Sequence, residues 1–252
     1  MKSTVKLSVL NNYLNEIMQP QRFNDYCPNG LQVEGKQEIR KIVTGVTASM
    51  NLLQAAHQAN ADAILVHHGY FWRGENPAIT GIKKCRIQFL LGHDISLFGF
   101  HLPLDAHPDF GNNVMLGALF GFKIAGYLGD NGMIAWAELA QAKTLQTLTE
   151  HVSNKLGRAP QVIGDANKTI KTVAWCTGAA QGYIEQAITA NIDVYISGEI
   201  SEQTVHSARE SNTSYISAGH HVTERYGIQA LGENLAKKFE IQHEFIDIDN
   251  PV

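Results

Sequence analysis

Cysteine is scarce in this chain: 252 residues carry three, Cys27, Cys85 and Cys176, odd in number and far apart. That pattern excludes a disulfide framework and any Cys-x-x-Cys motif, and it suits reduced thiols in a cytoplasm, the compartment expected here. No apolar run approaches the roughly 20 residues that cross a bilayer. The opening Met1-Lys2-Ser3-Thr4-Val5-Lys6 lacks the apolar core of a secretory signal. Positive charge is not in excess either. The formal net charge is −4, so no basic field points to nucleic acid or an anionic membrane as a main partner. P-loop, Rossmann glycine fingerprint and Gly-x-Ser-x-Gly elbow are all missing, which leaves nucleophilic serine or cysteine catalysis without support.

What is present describes an ordinary globular chain, 44% hydrophobic and 17% charged, long enough for one large or two small cores. Its 11 histidines are unevenly spread, and five of them fall in three short segments at the ends of apolar runs. These are Val66-His67-His68-Gly69, His101-Leu102-Pro103-Leu104-Asp105 and His220-His221-Val222-Thr223-Glu224. Imidazole and carboxylate together suit zinc, iron, nickel or manganese, and no thiolate pair competes with them. Outside these segments, His93 and His107 read as ordinary loop residues, and Glu202 with His206 as a surface pair.

The chain also repeats itself. Lys41 to Thr47, a helical stretch, Ala59-Asn60-Ala61-Asp62 and Ala63 to Val66 correspond to Lys171 to Thr177, a second helical stretch, Ala190-Asn191-Ile192-Asp193 and Val194 to Ser197. Each set has the β-rich run, 3.6-residue period and second β-rich run of a βαβ unit. A third β-rich run then precedes His101 and Asp105 in the first half, and His220 and Glu224 in the second. The expected fold class is α/β: two similar α/β subdomains related by a pseudo-twofold internal duplication, with the metal site between them. The halves are 1–126 and 127–252, the C-terminal segment being free to return to the first, and Gly126 to Gly132 marks the boundary. An opening helix shows Leu7, Leu10, Leu14 and Ile17 on one face, with Ser3 or Thr4 as cap and Pro20 at or beyond its end. Tyr26-Cys27-Pro28-Asn29-Gly30 reads as a turn, and Ile241 to Ile248 as the last strand.

Open α/β sheets bind ligands beyond the carboxyl ends of their strands, where all three clusters are expected. Adjacent strand residues point to opposite faces, so His67 and His68 suit one ion each rather than a shared one. Their Cα atoms are about 3.8 Å apart, close to the roughly 3.5–4 Å between the metals of two-metal sites. Two divalent cations are therefore expected, with Glu224 or Asp105 as bridging carboxylate. His220 and Glu224 share a face if the chain turns helical there, whereas Pro103 favours a loop between His101 and Asp105. Gly198 and Glu199 stand where the first half has His67 and His68, so one ligand pair is lost and a single centre is expected. Glu199 is either an acid/base facing that centre or a solvated helix cap. His221 either lies behind the ligands or faces substrate. Arg73, Lys83, Lys84 and Arg86 either meet phosphates or form a solvated basic face.

Taken together, Pro28-Asn29-Gly30-Leu31-Gln32-Val33, Thr44-Gly45-Val46-Thr47, Ser197-Gly198-Glu199, Gly219 and the three histidine segments resemble the NIF-three-like dinuclear-metal family. The resemblance spans nearly the whole chain, with no departure at the ligand positions and without the long insertion some members carry between the halves. Bacterial members are often labelled type 2 homologues of GTP cyclohydrolase I. The resemblance implies one metal on His68, Asp105 and Glu224 and the other on His67, His220 and Glu224, with Glu224 bridging. It implies His101 near the centre, as ligand or general acid/base, and a toroidal homohexamer whose metal sites face an inner cavity. The reaction it suggests is hydrolysis of a purine nucleotide: hydroxide attacks C8 of GTP, and the imidazole ring opens and loses formate. Catalytic candidates are then His101, Glu199 and His221, and the partner is a small-molecule substrate. The alternatives are hydrolysis of a damaged nucleotide or phosphoester, and a non-catalytic metal-binding or interaction protein that kept the fold.

Overall fold

The computed structural model describes residues 3–129 and 132–252. The first half runs β1 (Val5–Lys6), α1 (Leu7–Met18), β2 (Gly30–Val33), β3 (Glu38–Ile39), β4 (Lys41–Thr47), α2 (Met50–Gln58), β5 (Ala63–His68), α3 (Gly81–Gly92), β6 (Ser96–Gly99), α4 (Leu102–Asp105) and α5 (Asn112–Phe120). After β7 (Gly126–Leu128) and β8 (Ile134–Thr144), a similar order returns in α6 (Leu145–Leu156), β9 (Gln161–Ile163), β10 (Thr169–Trp175), α7 (Ile184–Thr189), β11 (Val194–Ser197), α8 (Glu202–Glu210), β12 (Ser214–Ser217), α9 (His220–Thr223) and α10 (Arg225–Phe239). The last strand is β13 (Gln242–Phe245), shorter than the Ile241 to Ile248 read from hydrophobicity. None of these helices is long and apolar enough to cross a membrane.

The chain forms two compact units, Met1–Phe110 with Gly227–Asp249 and Gly111–Tyr226 with Asn250–Val252. In the first, five strands lie in the order β13-β4-β5-β6-β2, all parallel except β2. Side chains of β5 alternate between two cores. Ala63 and Leu65 join Leu7, Leu10 and Leu14 of α1 with Ile228, Leu231 and Leu235 of α10. Ile64 and Val66 join Leu52, Leu53 and Ala56 of α2 with Ile87 and Leu90 of α3. A parallel sheet needs both faces covered, which is why this strand reads as an unbroken apolar run. The second unit has the order β7-β8-β10-β11-β12-β9, with β10, β11 and β12 parallel and the others antiparallel to their neighbours. Its core sets Leu116 and Phe120 of α5 and Leu145, Leu148 and Val152 of α6 against Val173, Trp175, Ile196 and Ile216.

The repeated Ala-Asn-x-Asp tetrads do the same mechanical work in each unit. Asn60 and Asn191 take left-handed backbone (φ 58° and 54°), which ends α2 and α7. The residue after each donates back to Ala56 O or Ala187 O at 3.0 Å, closing the helix end with an asparagine where glycine is usual. Asp62 Oδ2 then accepts the backbone N–H groups of Arg40 and Lys41 at 2.9 and 3.2 Å. Asp193 Oδ2 accepts those of Lys171 and Thr172 at 2.8 and 2.9 Å. Each aspartate thereby fastens the start of one strand to the start of its neighbour.

Two local expectations are corrected. Helix α1 begins after Lys6 with no side-chain cap, because Val5–Lys6 is held extended against Glu38–Ile39. Ser3 instead donates its hydroxyl to Phe239 O and Glu240 O at 2.7 and 2.8 Å. The His101–Asp105 segment is a helical turn, α4, not a loop; Pro103 occupies its first turn, where a missing N–H costs nothing. Of the Gly126–Gly132 stretch, Gly126–Leu128 is a strand, and Asp130 and Asn131 lie outside the described residues.

Burial raises the Asp193 carboxyl pKa, but the Lys171 and Thr172 hydrogen bonds and Lys168 outweigh it and hold it below the ordinary 3.8. A depressed carboxylate stabilises the fold above its unfolded pKa, and that stability is lost as pH falls through the folded value. Asp193→Asn is therefore expected to cost about 1–2 kcal/mol at pH 7, discounted because the group is partly solvated. Thermal unfolding followed from pH 7 to below 3.8 should show the gap from wild type narrowing; a constant gap would refute the assignment.

Candidate metal centre

Strand β5 ends on His67 and His68, and the neighbouring β6 runs directly into His101. Each imidazole is tied at Nδ1. His67 Nδ1 donates to Phe100 O at 2.9 Å, since a carbonyl can only accept. His68 Nδ1 lies 3.1 Å from Thr47 Oγ1, and His101 Nδ1 lies 2.7 Å from Asp25 Oδ1. Tying Nδ1 to a carbonyl or carboxylate, as at His67 and His101, sets the tautomer and makes Nε2 the nitrogen that carries the lone pair, the usual arrangement behind a metal-binding histidine; the Thr47 hydroxyl, which can donate or accept, orients the His68 ring. Ligand atoms of His67, His68 and His101 all lie within 4.8 Å of one another, so the trio could hold a metal ion.

Strand alternation is expected to throw His67 and His68 to opposite faces. Their ring centroids are instead 4.5 Å apart. His68 is the last residue of β5, still paired with Thr47 of β4, and its Nδ1 is held by Thr47 Oγ1. Asp105, in α4, is buried with Oδ1 3.5 Å from His67 Nε2. That contact sets Asp105 beside the first of the two histidines.

Sequence reasoning does not single out Asp25. Its Oδ1 faces His101 Nδ1 and accepts Tyr26 N–H, while Oδ2 accepts Asn29 Nδ2 and Leu102 N–H. Burial alone would push this carboxyl up, yet the hydrogen bonds from His101 and Asn29 and the charge of His101 hold it at about 2. Asp25 stays ionised and orients His101. Nothing local in the sequence ties an aspartate to a histidine 76 positions later.

In the second unit, His220 opens the single turn α9 and Glu224 follows its last residue, which puts the two side chains on one face as expected. His220 Nε2 lies 3.1 Å from Glu224 Oε2, and Nδ1 lies 2.7 Å from Glu199 Oε1. Burial lowers the His220 pKa, but Glu224 and Glu199 outweigh it and raise it to about 9. Glu224 is 3% exposed, and the space around it is made by glycine. A Cβ on Gly178 (φ +68°) would sit 2.1 Å from Glu224 Oε1 and 3.3 Å from His220 Nε2; a Cβ on Gly198 would strike His220 Cα at 2.7 Å. Gly178 follows Thr177 where the first half has Ala48 after Thr47, a departure from the repeat that is readable in the sequence. His221 is buried, its N–H donating to Val252 O at 2.9 Å.

The remaining predicted groups fall elsewhere. Lys83 pairs with Glu75 at 2.5 Å, Arg73 donates to Asn24 Oδ1 and Asp25 O, and Lys84 is exposed. His93 ends α3, and buried His107 stacks on Phe110 at 3.8 Å. Nitrogen and oxygen donors, with histidines oriented from behind, are the donor chemistry that divalent cations take.

Residues 5–251 match the model of DUF34/NIF3, NGG1p interacting factor 3. The chain belongs to the DUF34/NIF3 family. Among its relatives, a protein of Pseudomonas aeruginosa named GTP cyclohydrolase 1 type 2 homolog is 52% identical over 98% of this chain and 99% of its own length. A protein of the same name from Escherichia coli K12 is 47% identical over 98% and 100%. Among solved structures, ybgI, a protein of unknown function, superposes with a TM-score of 0.95 at 47% identity, over 98% of this chain and 100% of that one. TTHA1606 of Thermus thermophilus gives 0.88 at 30% identity, over the same shares. HcgD of Methanocaldococcus jannaschii gives 0.83 at 21%, over 99% and 100%, a likeness of fold alone.

In this DUF34/NIF3 protein, Glu199 is expected to act on a cation through His220. Replacing Glu199 with alanine should weaken divalent-cation affinity about 10–100-fold, measured by competition against a chromophoric chelator. Unchanged affinity would return Glu199 to the role of a solvated cap.

Proposed function

We propose that this protein is a dinuclear-metal-dependent hydrolase of a purine nucleotide, GTP foremost, its two cations held by His67, His68, Asp105, His220 and Glu224. The observation that carries the reading is the set of imidazoles held at Nδ1 by a carbonyl, a hydroxyl and two carboxylates. Orientation of that kind is wasted on histidines that only pack. Bound divalent cations supply Lewis acidity, which acidifies water and polarises the group under attack. The names of the P. aeruginosa and E. coli relatives support GTP as the nucleotide.

The chain's own residues then divide the work. Asp25 holds His101 by Nδ1, so that Nε2 is the atom that gives or takes the proton as a water adds at C8 and the ring opens. A second water releases formate and leaves the diaminopyrimidine. Glu199 keeps His220 turned toward Glu224, and buried His221 backs that turn. A homohexamer in the cytoplasm completes the proposal; the scarcity of cysteine suits that compartment.

Formate release from GTP and a panel of nucleotides, measured on metal-loaded protein, tests it. Glu224→Ala should lower turnover by more than about 100-fold, beyond the loss an outer partner brings, and chelation should abolish turnover until metal is restored. Metal retained by the wild type with no turnover of any nucleotide would support the interaction-protein alternative instead.

A further inference from the structure

Two aromatic side chains that hold no cation flank the histidines of the first unit. Tyr26 is 58% exposed, and its ring centroid lies 6.3 Å from that of His101. Half-buried Trp72 stands edge-on 5.0 Å from His101, and 6.0 Å from His68. The loops that carry them are fastened together: Arg73 N–H donates to Tyr26 O at 2.6 Å, and its guanidinium to Asn24 Oδ1 and Asp25 O at 3.0 and 2.7 Å. Phe71 has left-handed backbone (φ +66°), a conformation bulky residues rarely adopt and one that persists only where the surroundings impose it. That reversal separates its two neighbours. Tyr70 is buried with its hydroxyl donating to Ala48 O at 2.8 Å, while Trp72 stays beside His101 with Nε1 donating to Gly69 O at 3.2 Å.

Packing does not account for this arrangement, because a ring as exposed as Tyr26 recovers little hydrophobic free energy on folding. Of the nearby cations, Arg73 is taken by Asn24 and Asp25, Lys83 by Glu75 and Asn76 O, and Arg86 lies over the ring of buried Tyr70, 5.9 Å from its centroid. The surface beside His101 therefore offers π faces rather than positive charge. We propose that Tyr26 and Trp72 form an aromatic mouth that stacks the planar heteroaromatic base of the substrate beside His101. The inference rests on the nucleotide reading above and adds which part of the nucleotide this unit grips.

Calorimetric titration of the metal-loaded protein with GTP, guanosine and inorganic triphosphate tests it. Tyr26→Ala, at an exposed position, should weaken GTP and guanosine about tenfold and leave triphosphate unchanged, and Tyr26→Phe should restore wild-type affinity. Trp72→Leu should give the same selective loss, with its fold checked by circular dichroism. Equal GTP affinity in wild type and Tyr26→Ala, or triphosphate bound as tightly as GTP by the wild type, would overturn the aromatic mouth and leave the nucleotide reading standing. A wild type that binds none of the three would remove that reading, and this inference with it.

Discussion

An imidazole serves a cation best through one nitrogen when the other is held, and this constraint organises the structure around the candidate centre. For His67 and His68 the holding groups come from the ends of parallel strands. Phe100 O lies just past β6, Thr47 ends β4, and His67 and His68 end β5 between them. In-register pairing of β4 with β5 and of β5 with β6 brings these ends side by side, Thr47 opposite His68 and Val66 opposite Gly99. The orientations of both rings are thus set by sheet geometry, and a slip of one residue in either pairing would undo them.

The two units keep the same fastenings and differ where the chemistry differs. Asn60 with Asp62 and Asn191 with Asp193 are interchangeable in what they do, because ending a helix and starting a strand makes the same demand twice. At the opposite strand ends the demands diverge. The first unit puts two imidazoles there and orients one of them with a backbone carbonyl. The second puts Gly198 and Glu199 there, and the carboxylate becomes the orienting group for His220. The glycine follows from the same exchange, since His220 Cα comes so close that a Cβ on Gly198 has no room.

Much of this is legible in the sequence, for physical reasons that also mark the limit. Strands buried on both faces leave apolar runs, amphipathic helices leave a 3.6-residue period, and the tetrads recur because their backbone geometry suits few residues. Clustered histidines stand out for the same reason: five of eleven in three segments is a pattern composition does not produce. What escapes are relations across distance. Asp25 meets His101 only because the loop before β2 folds back over the end of β6, and no periodicity records that. Strand alternation says nothing of how near the His67 and His68 rings come, 4.5 Å between centroids. Pro103 suggests a helix breaker, yet its place in the first turn makes it harmless.

Proximity alone would allow a different cation site in the first unit, since Asp25, Cys27 and His101 also lie within 4.8 Å of one another. Their chemistry argues against it. Both oxygens of Asp25 already accept two hydrogen bonds each, and those bonds hold the loop and aim His101, so ligation would dismantle the support it needs. Burial, and then the charge of Asp25, push the Cys27 thiol up to about 12, so without a cation it stays protonated. The carboxylate that makes this trio resemble a ligand set is thus the group that holds His101 by Nδ1 and leaves Nε2 for the proton in the proposed chemistry.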